Sequence, residues 1–373
     1  MIIAGGGIAG LCAAIACEQR GIVADVFERE PVLQPVGAGL CLWHNAMLAL
    51  KNLGLDTQLA PVSTPFFVQE NRTSEGAVLE SHSFAEMGRS LGVDALTVHR
   101  GDLHEVLIRN MRPDRLHLGR RCTGYDANGD RIVVHFEGQP DEECDCLVGA
   151  EGIWSVVRAK VRGEEPARYA GYTCYRGLVP YREEWFPEGW FIQSIGDGAR
   201  MGVVHTGHDL VYWWATVNAP EHAPEPSGGR KQALLDRFAG WAYPTPQIFE
   251  ATDDAAILLN DIVDRPPIDD WGAGPVTLAG DAAHPMTPNM AQGACQAIED
   301  GVVLATRLAN SESVGEALRG YEDARRQRTA VVVNQSWLIG ARGQGLLPPE
   351  EANRAISVAD RERLLRFDPD AQP

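Results

Sequence analysis

The chain has 373 residues, enough for two or more domains at roughly 150 residues each and for a sizeable buried core, which excludes a disulfide-stapled miniprotein. Apolar residues make up 45% and charged residues 23%, an ordinary globular composition rather than a disordered one. Lys and Arg total 33 against 51 Asp and Glu, so the net charge of -18 sets the overall field against nucleic acid and anionic membrane.

Glycine, at 39 residues, is the one excess, and its first cluster opens the chain. Met1 to Ala4 reads as a short apolar strand, GGGIAG follows, and Leu11 to Gln19 carries apolar residues at helical spacing. Gly5, Gly7 and Gly10 thus fall in G-x-G-x-x-G register between a strand and a helix. Gly5 permits the tight turn, Gly7 lets backbone approach a pyrophosphate, and Gly10 lets the helix lie close to the strand. The helix start, at Ile8 and Ala9, supplies free amides and a positive dipole end. A second strand, Val23 to Phe27, ends at Glu28, whose carboxylate can accept both ribose hydroxyls of an adenosine; Arg29 follows it. A carboxylate there repels a 2'-phosphate, favouring FAD or NAD as the bound dinucleotide.

Asp145 to Arg158, DCLVGAEGIWSVVR, repeats the strand, glycine turn and helix start. Cys144 and Cys146 read as one alternating strand with both thiols on one side, so a metal or redox pair is weighed against ordinary buried thiols, and no metal site is assigned. The texture then becomes alternating and aromatic: Tyr169 to Pro180, Trp190 to Ile195, Met201 to His205 and Leu210 to Val217 read as antiparallel strands with one buried face. A helical stretch, Arg230 to Ala239, and a pattern from Ile257 to Val263 follow. Val276 to Asp300, VTLAGDAAHPMTPNMAQGACQAIED, reads as a strand, Gly280 and Asp281, a Pro- and Gly-rich loop, and a helix from near Gly293. His284 is expected to be a turn histidine bonded to backbone. Val314 to Ile339 is helical, and its Arg325, Arg326 and Arg328 are expected on a solvated face.

The block GD-x-x-H-x-x-x-P-x-x-x-x-G resembles the single-component FAD-dependent aromatic hydroxylases built like para-hydroxybenzoate hydroxylase, in the branch that contains salicylate-type hydroxylases, zeaxanthin epoxidase and FAD-dependent urate hydroxylase. The resemblance implies that Asp281 holds the ribityl chain, that Pro288 lies beside the isoalloxazine, and that amides near Gly293 and Ala294 face its pyrimidine end. It makes the segment around Gly152 the family's D-G motif, with Glu151 in place of the usual aspartate. Gly37 to Ala46, including Gly39, resembles the loop entering the helix beside the flavin, and Arg100 matches an arginine that reaches FAD. Gly280 and Gly152 join the cofactor set. On the substrate side, the urate-hydroxylase likeness marks Arg200 and Tyr212. With His44 and His205, these are the candidates to accept or stabilise a substrate proton.

The fold this implies is α/β, a Rossmann-like FAD-binding domain of the GR2 type with a second domain of mostly antiparallel sheet over the flavin and a C-terminal helical region. The expected boundaries are 1–66, 96–168 and 272–340 for the FAD-binding domain, 67–95 and 169–271 for the substrate-binding domain, and 341–373 for a helical extension. The expected activity is monooxygenation: FAD bound non-covalently, hydride from NADH or NADPH, and a flavin C4a-hydroperoxide formed with O2 that hydroxylates a small electron-rich aromatic substrate. The alternatives are an epoxidase or indole oxygenase using the same intermediate, an amine-type flavin oxidase, and a FAD-binding protein without turnover. With no leader-like start and no apolar run of ~18 residues, the expected protein is soluble and cytoplasmic, a monomer or homodimer.

Overall fold

A computed structural model describes residues 1–33, 38–129, 131–347 and 358–370. Gly37 and much of the expected C-terminal extension lie outside the described residues. The first sheet is five-stranded and parallel, in the order Val276–Leu278, Leu147–Gly149, Ile2–Ala4, Asp25–Glu28, Leu116–Leu118. Its central strands are buried on both faces, as parallel strands covered by helices are. The helix Ile8–Gln19 lies against Gly293–Asn310 so closely that a Cβ on Gly301 would stand 2.6 Å from the Ala13 amide nitrogen.

The second large sheet has seven strands, ordered Leu258–Asp264, Arg168–Pro180, Leu210–Asn218, Ala199–Thr206, Trp190–Gly196, Val68–Thr73, Val78–Ser83. All neighbours are antiparallel except Trp190–Gly196 with Val68–Thr73. Alternation along the strands gives each face its own packing. Met201, Val203, Val211, Trp213 and Ala215 meet Leu234, Phe238, Ile248 and Phe249, which belong to or flank the helices Arg230–Arg237 and Thr245–Ala251. Arg200, Val204, Tyr212 and Trp214 point the other way, toward the parallel-sheet region. A three-stranded sheet, in the order Gly39–Leu42, Ala95–His99, Ser63–Phe66, packs against Ala199–Thr206 of the seven-stranded sheet and against the helix Gly293–Asn310.

The helix Val314–Gly343 runs 30 residues and touches both regions. Arg325 and Arg328 correct the expected solvated face, while Arg326 lies at the surface beside Asp323. Arg325 is 1% exposed, and Arg328 reaches the buried Glu299. Cys144 and Cys146 also depart from expectation: Cys144 ends the strand Gln139–Cys144, while Cys146 precedes Leu147–Gly149. All eight cysteines are free and buried, and burial pushes the Cys146 thiol up to about 12. Among the described residues no group of three or more His, Cys, Asp or Glu is placed to hold a metal, and no helix is long and apolar enough to cross a membrane.

Candidate active site

The turn after Ile2–Ala4 has no room for side chains on its inner side. Gly5 adopts φ +109°, and a Cβ there would stand 2.3 Å from the Ala150 carbonyl oxygen. A Cβ on Gly10 would stand 2.0 Å from the Gly5 carbonyl oxygen. Gly7 is the opposite case, since a Cβ there would meet nothing within 4 Å, which leaves the backbone open on one side. No side chain caps the helix that begins at Ile8, so its first amides are available to an anion. Glu28 accepts from the Gly6 amide at 2.7 Å and from Glu30 at 2.9 Å, tying the acidic strand end to the glycine turn. Arg29 is exposed and pairs with Glu30 at 3.2 Å.

The Gly280 loop meets this turn from Val276–Leu278, two strands away in the sheet. Gly280 adopts φ +58°, and a Cβ on it would lie 2.8 Å from the Ala9 Cβ, so only glycine brings the loop this close. Its amide donates to Asp300 Oδ2 at 2.8 Å, and His284 Nε2 lies 2.7 Å from the same oxygen. His284 is therefore buried on a carboxylate rather than bonded to backbone as expected. Arg325 Nε donates to Asp300 Oδ1 at 2.7 Å and its guanidinium also pairs with Glu299. Burial alone would raise the Asp300 carboxyl; the charges of His284 and Arg325 overturn this and hold it at about 2.

That anchor leaves Asp281 solvent-exposed. Crowding by the surrounding protein nonetheless pushes its carboxyl above the usual range, against the fields of His284 and Arg100. Arg158 fixes the next residues, donating to Ala282 O at 2.9 Å and Ala283 O at 3.1 Å. Glu151, which replaces the family aspartate, spends its carboxylate on Ser155 Oγ at 2.5 Å and the Val157 amide at 3.1 Å. Burial pushes it up, and those two bonds tie it to the start of the helix Val156–Arg162, while Gly152 beside it (φ +84°) faces open space.

Beyond Asp281, Pro288–Met290 form one 3-10 turn, Ala291 takes φ +50°, and Gly293 opens Gly293–Asn310 with no side-chain cap. A Cβ on Gly293 would touch only Met286 Cγ, at 3.8 Å, and Ala294 is half-buried. Asn45 and Gln292 hydrogen-bond each other at 2.9 Å, linking this loop to the helix His44–Asn52.

The seven-stranded sheet supplies the facing wall. Arg200, 3% exposed, donates to Asn289 Oδ1 at 2.5 Å, one residue beyond Pro288. Asn289 in turn donates to the Tyr172 hydroxyl at 2.9 Å. Tyr212 shares the Arg200 face and fills the space above Gly39, where a Cβ would lie 2.4 Å from its ring. The missing side chain at Gly39 thus admits Tyr212. Burial pushes the Tyr212 hydroxyl far up, so it stays protonated. His205 is not brought to this wall: it points to the opposite face, stacked on Tyr181 at 4.1 Å. His44 is 1% exposed, with Nε2 against Gly88 and its ring near Phe84, so it faces the helix Ala85–Leu91. A surface cavity of about 430 Å³ lined by Met1, Asp25, His117 and Glu143 opens at the amino ends of the parallel strands. Ligands of such sheets lie at the carboxyl ends, where the glycine turns are.

The sequence reading missed Asn289, Asp300 and Arg325. Asn289 follows the singled-out Pro288, and Arg325 falls with Leu318, Tyr321 and Val332 on one buried stripe, which is a readable signal.

Glycine turns meeting at strand ends, an acid after the second strand, two uncapped helix starts and an exposed aspartate between them define a doubly wound protein that holds a flavin dinucleotide. The chain belongs to the FAD binding domain family, whose model matches residues 1–336, and FAD is its cofactor. It is 39% identical to an aurachin C monooxygenase/isomerase of Stigmatella aurantiaca over 98% of this chain and 94% of that one. It is 31% identical to the FAD-dependent urate hydroxylase of Mycolicibacterium vanbaalenii, over 89% and 86% of the two chains. Among solved structures it is similar to Klebsiella pneumoniae HpxO complexed with FAD and uric acid, at a TM-score of 0.88 and 27% identity, covering all of this chain and 92% of that one. The protein is an enzyme of this FAD-dependent monooxygenase and hydroxylase group.

Proposed function

We propose that the enzyme uses NADH or NADPH and O2 to insert one oxygen atom into a small, planar, electron-rich aromatic or conjugated substrate, held between the Arg200 and Tyr212 wall and the loop at Pro288. The observation that carries this reading is the Arg200 side chain, which crosses from the substrate sheet to the turn beside Pro288 while almost wholly out of solvent. When bound, FAD supplies the activation of dioxygen. The chain's own groups bind and orient. The Gly5 to Gly10 turn and the helix start take the diphosphate, Glu28 the adenosine ribose, and Asp281 the ribityl hydroxyls. The open helix start at Gly293 offers amides to negative charge at the pyrimidine end. Tyr212, kept protonated, donates a hydrogen bond and does not act as a base. The division into a discontinuous FAD-binding domain and a substrate domain built on the seven-stranded sheet belongs to the same proposal.

Ring oxygenation followed by rearrangement is the second reading, because the 39% relative is named a monooxygenase/isomerase and the urate hydroxylase stands at 31%. The test is NADH and NADPH oxidation by the purified yellow protein across phenols, indoles, purines and polyenes, with labelled dioxygen traced into the product. Absence of bound flavin, or bleaching of the flavin by substrate alone without NAD(P)H, would overturn the proposal. The labelled atom's position separates hydroxylation from oxygenation with rearrangement.

A further inference from the structure

The first glycine turn is held by two side chains that reach it from outside. Gly6 lies in the middle of the turn with no side chain of its own, so nothing local fixes the peptide planes on either side of it. The plane before Gly6 is held by Glu28, which accepts from the Gly6 amide at 2.7 Å. The plane after it is held by His104, whose Nε2 lies 2.8 Å from the Gly6 carbonyl oxygen although the two residues are 98 positions apart in the chain. A carbonyl oxygen only accepts, so Nε2 carries the hydrogen of this bond.

That bond decides where the next amide points. The peptide joining Gly6 to Gly7 is trans, so its N–H and its C=O leave the plane's axis in opposite directions. With the carbonyl turned to His104, the Gly7 amide is turned away from it. Gly7 is partly exposed, a Cβ on it would meet nothing within 4 Å, and its amide has no acceptor among the described residues. It precedes the uncapped helix Ile8–Gln19, so its N–H extends that helix's set of free donors. If the plane turned over, a carbonyl oxygen would stand where the donor was, and it would repel an anion. His104 stands in the helix Arg100–Arg109, four residues after Arg100, so the two side chains share a face of it. The field of Arg100 reaches Asp281, which brings the same face near the second loop of the cofactor wall.

We propose that His104 is a positioning residue for FAD: its N–H holds the Gly6–Gly7 peptide with the amide presented to the diphosphate. It acts through the turn, as a hydrogen-bond donor and not as a charge. This role requires FAD as the cofactor and holds whichever substrate is oxygenated.

Apoprotein of the wild type, His104→Leu and His104→Gln is titrated with FAD by flavin fluorescence, and its unfolding in urea is followed on the same preparations. Each affinity is referred to the folded fraction taken from the urea curve, so a variant that is only less stable shows no loss. His104→Leu is expected to bind FAD roughly three- to tenfold more weakly, the scale of one hydrogen bond. His104→Gln carries an Nε2–H without the ring or its charge and is expected to return to within about twofold of the wild type. At saturating FAD both variants are expected to show the visible spectrum of the wild-type holoenzyme, because the contact is made at the turn. A His104→Leu variant with wild-type affinity after this correction overturns the inference and leaves His104 a structural tie. A His104→Gln variant as weak as His104→Leu overturns it as well, since that is the result expected of a charge or of ring packing.

Discussion

The two walls of the cleft are made of different material. The cofactor wall is backbone: glycine turns, open helix starts and one wetted carboxylate, braced from behind by Asp300, Glu299, Arg325 and His284 with their ionic groups mutually paired. The wall proposed for substrate is side chain: Arg200, Tyr172, Tyr212 and Trp214 on a sheet face, with polar atoms left unpaired. Backbone positions tolerate little change, since a Cβ at Gly5 or Gly10 meets a carbonyl oxygen, whereas side chains can be exchanged without moving the fold.

Breaking the brace should have the largest effect. Arg325→Met leaves two adjacent buried carboxylates without their shared cation and should destabilise the protein by about 3–5 kcal/mol in urea denaturation. A loss under about 1 kcal/mol would show that the brace is not structural. Next comes the wetted carboxylate: Asp281→Asn should weaken FAD binding about ten- to a hundredfold, read by flavin fluorescence titration of the apoprotein, with the fold intact. Unchanged affinity would remove the ribityl assignment.

The same two aspartates should respond to pH with opposite sign. Asp300 is held down at about 2, so its stabilisation is full above its unfolded value of roughly 4 and is lost as pH falls toward 2. Asp281 is pushed up, so its contribution is favourable below roughly 4 and is lost as pH rises through its folded value. Asp281→Asn should therefore stabilise the apoprotein near neutrality, whereas Asp300→Asn should destabilise it there and flatten its loss in acid. Equal slopes in both variants would contradict the contrast between the walls. The smallest effect belongs to Arg29→Ala. Its exposed pair with Glu30 predicts a change in FAD affinity of about 0.5 kcal/mol or less, and a larger loss would return Arg29 to the cofactor site.

The material of each wall also decides how far it was legible. Glycine spacing between apolar runs is local, so Gly5, Gly10, Gly280 and Gly293 could be read directly, as could strands such as Leu210–Asn218, whose alternation is a short-range pattern. The brace joins residues about 25 positions apart on two helices, and a run of arginines reads as solvated unless the buried stripe it interrupts is followed. His205 shows the finer limit. Period-two alternation separates the faces of a strand but does not say which face meets the cofactor, and Arg200 and His205, five residues apart, fall on opposite sides.

The helix Val314–Gly343 carries Arg325 under the cofactor wall and Gly340 and Gly343 against Asn289 and Arg200. At about 1.5 Å and 100° per residue it works as a gauge rod whose rotational phase is common to both ends. Losing one residue between Arg328 and Ser336 would keep the helix but turn Gly340 by about 100° and draw it back by about 1.5 Å, setting a larger side chain against Asn289. The spacing between the two walls is thus encoded as a residue count, which point substitutions leave untouched and a single deletion resets.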